Sequence, residues 1–195
     1  TTYRAGTMTA VLEEKKDSVE IDGNTVLSNA PKRPKILDAD IYVVSVKNEK
    51  FVIAVGLLNN KPYEIFGGSL NGLGFKFQYK KGKIEKIKRG LYKLEIGDEI
   101  EVDDFSKHFT PTAQILFRLA STSLRHGVPI EFIVEQLQKS EDDMFSMSAA
   151  AARVLKKYVT DGSKFRGASC PTCSNNELIY QDGCISCKCG WSKCN

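Results

Sequence analysis

Phe51-Val52-Ile53-Ala54-Val55-Gly56-Leu57-Leu58 is an unbroken apolar run rich in β-branched residues. A run of this length without alternation is what a strand covered on both faces requires, so it is taken as the central strand of a sheet. Upstream, Ile41-Tyr42-Val43-Val44-Ser45-Val46 reads as a partner strand, reached through a turn at Asn48-Glu49-Lys50. Downstream, Asn59-Asn60-Lys61-Pro62 makes a turn, after which Tyr63-Glu64-Ile65-Phe66 alternates polar and apolar as a half-exposed strand does.

Gly67-Gly68-Ser69-Leu70-Asn71-Gly72-Leu73-Gly74 has the composition of a phosphate-cradling loop, but no helix opens after it to supply an amide-lined N-terminus, so a hairpin connection is expected. Three period-two segments follow, Phe75 to Lys80, Lys83 to Lys88 and Leu91 to Ile96, joined at Lys81-Gly82 and Arg89-Gly90. They predict a meander with one wet face carrying Lys76, Lys80, Lys86, Lys88 and Lys93. Lysines on exposed strands guard against edge pairing, and near Phe77 or Tyr79 they are also what a nucleic-acid surface uses. Past Asp103-Asp104-Phe105 the spacing turns helical. Thr110 is a good N-cap with Pro111 at the first position, and Ile115, Leu116, Leu119, Ala120 and Leu124 form a stripe ending at His126-Gly127. Pro129 opens a second helix with Ile130, Ile133, Val134 and Leu137 on one face, and an alanine-rich third runs from about Ser146 to Val159. Neither His108 nor His126 has a Cys or a second His near it in sequence, so no nucleophile triad is legible, and the capping position is assigned to His126.

These elements define an α+β fold: an antiparallel β-sheet with helices packed on one face, followed by a C-terminal zinc ribbon. The domain division is an N-terminal arm or linker at 1–35, where Pro31 and Pro34 with Lys32, Arg33 and Lys35 deny helix and central strand, the α+β domain at 36–160, and the ribbon with its terminal tail at 161–195. The net charge of +4 is too small to argue for a nucleic-acid partner by itself. No window holds the roughly 18 apolar residues of a membrane span, and the first residues lack the apolar core of an export signal. The protein is therefore expected in the cytoplasm, and the absence of an initiator Met suggests that more chain precedes Thr1.

All six cysteines of the 195 residues lie in the last stretch, and thiols gathered in this way belong to metal or redox chemistry of a reducing compartment. Cys170-x2-Cys173, ten residues, then Cys184-x2-Cys187 is a zinc-ribbon spacing, with Glu177 to Gly183 free to form a hairpin arm between two knuckles. On this reading Cys170, Cys173, Cys184 and Cys187 are the metal ligands, and Cys189 and Cys194 are left as a redox pair. Gly190 would ease the turn between those two, and Lys193 would favour the Cys194 thiolate. The residues also allow another grouping, in which Cys187-Lys188-Cys189 is the second knuckle and Cys184 or Cys194 is spare. A zinc-ribbon nucleic-acid-binding adaptor using the lysine meander is the second functional reading the residues leave open.

The tail Cys170-Pro171-Thr172-Cys173 through Cys184-Ile185-Ser186-Cys187-Lys188-Cys189-Gly190-Trp191-Ser192-Lys193-Cys194 resembles the C-terminus of the large, catalytic subunit of ribonucleotide reductase, most of all the adenosylcobalamin-dependent class. The resemblance extends through Ala30 to Pro34, Val55 to Leu58, Lys61 to Phe66, Ser121 to Gly127 and Ala152 to Tyr158, and to Thr1-Thr2-Tyr3-Arg4-Ala5-Gly6-Thr7. It implies a role in deoxyribonucleotide synthesis for DNA replication, with Cys189 and Cys194 as the catalytic pair that re-reduces an active-site disulfide and is itself reduced by thioredoxin or glutaredoxin. It also implies that the nucleotide- and cobalamin-binding barrel lies outside this chain, either ahead of it in one polypeptide or as a separate subunit. The expected cofactor of the chain is then zinc, with adenosylcobalamin bound only by the parent enzyme. The expected partners are the barrel and a thioredoxin or glutaredoxin, with no membrane and no nucleic acid, and the chain alone should be inactive.

Overall fold

The computed structural model describes residues 29–46, 49–69, 75–97, 100–139, 146–166 and 168–194. The expectations for residues 1–28, including the Thr1 to Thr7 segment, and for Leu70 to Gly74 lie outside them. Six strands, β1 (Ile36–Val46), β2 (Glu49–Leu58), β3 (Lys61–Ser69), β4 (Tyr79–Lys88), β5 (Leu91–Ile96) and β6 (Ile100–Val102), form one sheet in the order β3-β2-β1-β4-β5-β6. Every pairing in it is antiparallel. The Asn59-Asn60 turn has φ of 52° and 62°, the left-handed pair that a two-residue hairpin needs. β2 is buried from Phe51 to Gly56, as its composition requires, but it lies one strand in from the β3 edge, and β1 and β4 occupy the middle.

The sheet is strongly curled. Phe66 of β3 meets Tyr92 of β5 with ring centroids 4.8 Å apart, although three strands lie between β3 and β5 and a flat sheet would separate them by about 19 Å. Small residues on the inner face permit this curvature. A Cβ on Gly56 would come within 2.8 Å of the Glu64 side chain, and one on Gly82 would run into the Glu95 carbonyl and Ile41. Inside the curl sit Ile41, Ala54, Ile84 and Leu94, all fully buried, together with Phe105 from the 3-10 turn Phe105–His108.

Glu64 departs from the sequence expectation. The alternation of Tyr63 to Phe66 suggested a wet face for it, but Glu64 is 0% exposed and points into the curl. There Arg33 donates from Nε and Nη2 at 2.6–3.1 Å, and Arg125 donates from Nη2 at 2.6 Å. Arg33 comes from the segment read as an arm or linker. Its described part is docked instead, with the Tyr63 hydroxyl donating to the Pro31 carbonyl at 2.6 Å and Arg33 also reaching the Ile84 carbonyl.

Three helices follow: α1 (Pro111–Arg125), α2 (Ile130–Gln138) and α3 (Ser146–Leu155). Thr110 caps α1 by accepting from the Ala113 N–H, and His126 occupies its C-cap. Both helix starts fall where Thr110-Pro111 and Pro129 placed them. α1 runs along the β3 edge, where the Ser121 hydroxyl accepts from the Ile65 N–H at 2.9 Å and donates to the Ile65 carbonyl at 3.0 Å. One side chain thus satisfies backbone groups that would otherwise invite another strand. The buried side of α1 is Ala113, Phe117, Ala120 and Ser121, so the expected stripe is corrected: Ile115 and Leu119 are 57% and 64% exposed. Phe117 reaches β3 because Gly67 is a strand residue and not part of a loop; a Cβ there would meet the Phe117 ring at 2.7 Å.

The lysine face of the meander does not form as expected. Ile84 shares its side of β4 with Lys80 and Lys86, and that side is the inside of the curl. A register shift between Lys86 and Lys88 breaks the alternation and leaves Ile87 50% exposed. Lys93 is engaged by Glu95 and Glu101.

On the outer face, where α3 packs, Asp40 accepts from the Tyr79 hydroxyl at 2.8 Å and from the Tyr158 hydroxyl at 2.7 Å, while Tyr42 and Tyr158 lie 3.2 Å apart, oxygen to oxygen. Burial first and the bond to Asp40 second push Tyr79 up to about 12, while burial first and then the bonds to Tyr42 and Asp40 raise Tyr158. A phenol whose folded pKa lies above its ordinary value near 10 contributes stability that is complete below pH 10 and lost as pH rises through the folded value. Absorbance titration should therefore find these phenols neutral well past pH 10, and Asp40→Asn should bring the Tyr79 midpoint down from about 12. An unchanged midpoint in that variant would remove Asp40 as a cause.

Candidate metal centre

After the 3-10 turn Lys156–Tyr158 the chain forms a second antiparallel sheet from four short strands, β7 (Lys164–Phe165), β8 (Leu178–Gln181), β9 (Cys184–Ser186) and β10 (Ser192–Lys193), in the order β10-β9-β8-β7. Strands of two to four residues bury little by themselves, and this sheet shares a core with the larger domain. Leu178, Tyr180 and Ile185 join the cluster that includes Val134 and Leu155. Glu135 accepts from the Arg166 N–H at 3.1 Å, and the Arg166 guanidinium lies over the Phe132 ring at 5.0 Å.

Asp182 and Gly183, at φ 51° and 73°, form a two-residue hairpin that pairs Gln181 with Cys184. Cys184 is therefore the first residue of a strand and not part of a knuckle. Side chains alternate along β9, so buried Ile185 and buried Cys187 face one way while Cys184 and Ser186 face the other. The chain then turns through Cys187-Lys188-Cys189-Gly190, closed by the Gly190 N–H donating to the Cys187 carbonyl at 3.0 Å, with Gly190 at φ 92°. The first knuckle is one residue longer. Its Ser174 N–H donates to the Cys170 carbonyl at 2.8 Å, with Ser174 at φ 57°.

These two turns bring Cys170, Cys173, Cys187 and Cys189 together, with all four sulfurs within 4.8 Å of one another. Cys170 to Cys189 and Cys173 to Cys187 are each 3.6 Å, sulfur to sulfur. Four thiolates at 2.3 Å from a tetrahedral zinc ion are about 3.8 Å apart, so the spacing fits that metal. The thiols need a cation. Burial opposes ionisation of Cys170, but the N–H groups of Cys173 and Thr172 and the neighbouring thiols outweigh it and hold its pKa down to about 6. The Asn175 N–H favours the Cys173 thiolate, yet the crowding thiols of Cys189 and Cys187 push that group up to about 12. Sulfurs this close do not all ionise unaided, and a divalent cation removes the obstacle. The result is a four-cysteine site suited to zinc.

Cys184 instead forms a disulfide with Cys194, their Cα atoms 4.4 Å apart. The pairing of Ser186 with Ser192 and Ile185 with Lys193 sets Cys194 opposite Cys184 on the next rung. The grouping expected from spacing is thus corrected at two positions. Cys189 joins the metal cluster in place of Cys184, and Cys184 replaces Cys189 as the partner of Cys194. Two signals in the sequence point this way: Asp182-Gly183 is a strong hairpin turn that starts a strand at Cys184, and Gly190 follows Cys189 where a knuckle needs positive φ.

A curled antiparallel sheet carrying helices and a fused thiol ribbon defines the class, an α+β domain with a four-cysteine metal site. The chain belongs to the family described as the NrdJ homologue C-terminal domain, whose model matches residues 37–160, more than half of the sequence. It is thereby related to the C-terminal region of cobalamin-dependent ribonucleotide reductases. The match covers the sheet and the three helices, and the cysteines lie beyond it. No curated protein matches the chain, and no solved structure does. The described residues contain no catalytic barrel, and no helix among them is long and apolar enough to cross a membrane.

Proposed function

We propose that this chain serves ribonucleotide reduction as the thiol-carrying C-terminal portion, or a separate subunit, of a ribonucleotide reductase, with Cys184 and Cys194 as the exchanging pair. The observation that carries this reading is the separation of the sulfurs: four cluster as a metal site, and two stand apart in a disulfide whose Cys194 end is exposed. Zinc bound by Cys170, Cys173, Cys187 and Cys189 supplies folding energy and a rigid base, and it takes no part in electron transfer.

In the reduced pair, the exposed Cys194 thiolate attacks a disulfide in the catalytic subunit and forms a mixed disulfide. Cys184 then displaces the catalytic cysteine, so the target gains two electrons and two protons while the Cys184–Cys194 bond closes. Thioredoxin or glutaredoxin reopens that bond by the same exchange, which sets the work in a reducing cytoplasm. Nucleotide and adenosylcobalamin belong to the barrel of the parent enzyme, and no such barrel is present among the described residues. The domain division follows the same logic: an arm or linker to residue 35, an α+β domain at 36–160, and a ribbon with its redox terminus at 161–195.

In the complete reductase, Cys194→Ser should lower thioredoxin-supported turnover at least about tenfold while dithiothreitol-supported turnover stays within about twofold, because the small thiol reaches the active-site disulfide directly. Equal loss under both reductants would sink the shuttle.

A further inference from the structure

The face of α1 turned away from the core carries an aliphatic pair that nothing in the fold covers. Ile115 and Leu119, one turn apart, are 57% and 64% exposed. Arg118 is exposed beside both of them and also lines a cavity of about 340 Å³ between α1, β3, β5 and the 105–109 turn. Arg89 and Arg125 line the same cavity, and no acidic side chain does. Arg89 and Arg118 make no ion pair among the described residues. Arg125 bonds Glu64, but that carboxylate is shared with Arg33, so the triad keeps one positive charge in excess. Three uncompensated positive charges thus stand next to the aliphatic pair.

The rings at this place are already in use. Phe109 is 5% exposed, and Tyr92 lies between Phe66 at 4.8 Å and the Arg33 guanidinium at 5.6 Å. What the surface offers outward is therefore guanidinium groups with an aliphatic rim, and its complement is a set of carboxylates flanked by aliphatic side chains. A second copy of the same face does not supply that complement. From Pro111 to Arg125 the helix has no acidic residue, and the copies would set arginine against arginine.

Position narrows the partner further. Arg33, just ahead of β1, bonds the same carboxylate as Arg125, so the polypeptide entering the sheet meets the body at the edge of this cavity. In the one-polypeptide form of the function proposed above, the catalytic barrel lies ahead of that point. We infer that this face is where the α+β domain docks on the barrel, an acidic segment of the barrel setting carboxylates against Arg89, Arg118 and Arg125 and aliphatic side chains over Ile115 and Leu119. The inference rests on the proposed function for the identity of the barrel, and it concerns a surface that the thiol exchange does not use.

The test is carbodiimide cross-linking of the complete reductase carrying Arg118→Lys, which keeps the cation and supplies an amine that the reagent joins to a touching carboxylate. Mass spectrometry should find that amine linked to an Asp or Glu of the barrel. Adding Leu119→Asp should lower the yield of this link at least about tenfold with unchanged circular dichroism, because the new carboxylate on an exposed position repels the incoming ones. Adding Lys157→Glu, an equal or larger change of charge beside Tyr42 on the outer face of the sheet, should leave the yield within about twofold. No link to the barrel, a link only within this chain or to a second copy of it, or a yield indifferent to Leu119→Asp would each overturn the docking face. Turnover of the wild-type and Cys194→Ser enzymes with thioredoxin, measured alongside, shows whether the thiol exchange stands when the docking face falls.

Discussion

Cys189→Ser will lower the affinity of the ribbon for Zn²⁺ by at least about 100-fold, and Cys184→Ser will leave it within about threefold. The first figure follows because loss of a group that merely supports a ligand costs about 10–100-fold, so loss of a ligand costs at least the upper value. The second follows from position, because Cys184 points away from the four-sulfur cluster and is held by Cys194. Trp191, the only tryptophan, is a direct reporter, since its carbonyl accepts from the Cys187 N–H at 2.8 Å in the second knuckle. Competition against a chelator of known affinity, read by Trp191 fluorescence, gives both numbers. If Cys184→Ser proved to be the variant that releases the metal, the regrouping of sulfurs described above would be wrong. Far-ultraviolet circular dichroism recorded in the same titration reads the larger sheet, with which the ribbon shares a core.

Glu64→Gln will destabilise the sheet domain by about 3–5 kcal/mol, the cost of breaking a buried ion network by removing one partner. The amide keeps the volume but leaves two guanidiniums, one 8% and one 28% exposed, facing a neutral group inside the curl. An exposed pair offers the contrast. Lys188 and Glu177 are 79% and 64% exposed, so Lys188→Ala should leave the unfolding midpoint almost where it was. Urea unfolding followed by circular dichroism measures both, and a Glu64→Gln change under about 1 kcal/mol would show that the network is worth no more than a surface pair. Because Arg33 belongs to the chain just ahead of β1, this network also fastens the entering polypeptide to the sheet. Three separated segments, around Arg33, Glu64 and Arg125, meet at one carboxylate, and all three are among those that carry the likeness to ribonucleotide reductase.

Where local pattern governs structure, the sequence was a sound guide. Phe51 to Gly56 could only be an interior strand, because six consecutive buried residues need cover on both faces. Thr110-Pro111 and Pro129 marked two helix starts because capping and the missing proline N–H act within one turn. The confinement of every cysteine to the tail announced thiol chemistry there. Where a residue had two admissible environments, local pattern misled. Glu64 alternates as a surface residue does, and only the curl of the sheet, which brings Arg33 and Arg125 to it from 31 and 61 residues away, makes a buried carboxylate tolerable.

The cysteines divide the same way. Spacing alone determined that this protein carries a thiol metal site beside a spare pair, since six sulfurs in 25 residues leave two beyond a tetrahedral set. Which two was a tertiary decision. A Cys-x2-Cys pair serves one ion only if the residues between its members turn, and between Cys184 and Cys187 they are held extended by pairing with β8, which aims the two sulfurs at opposite faces of the strand.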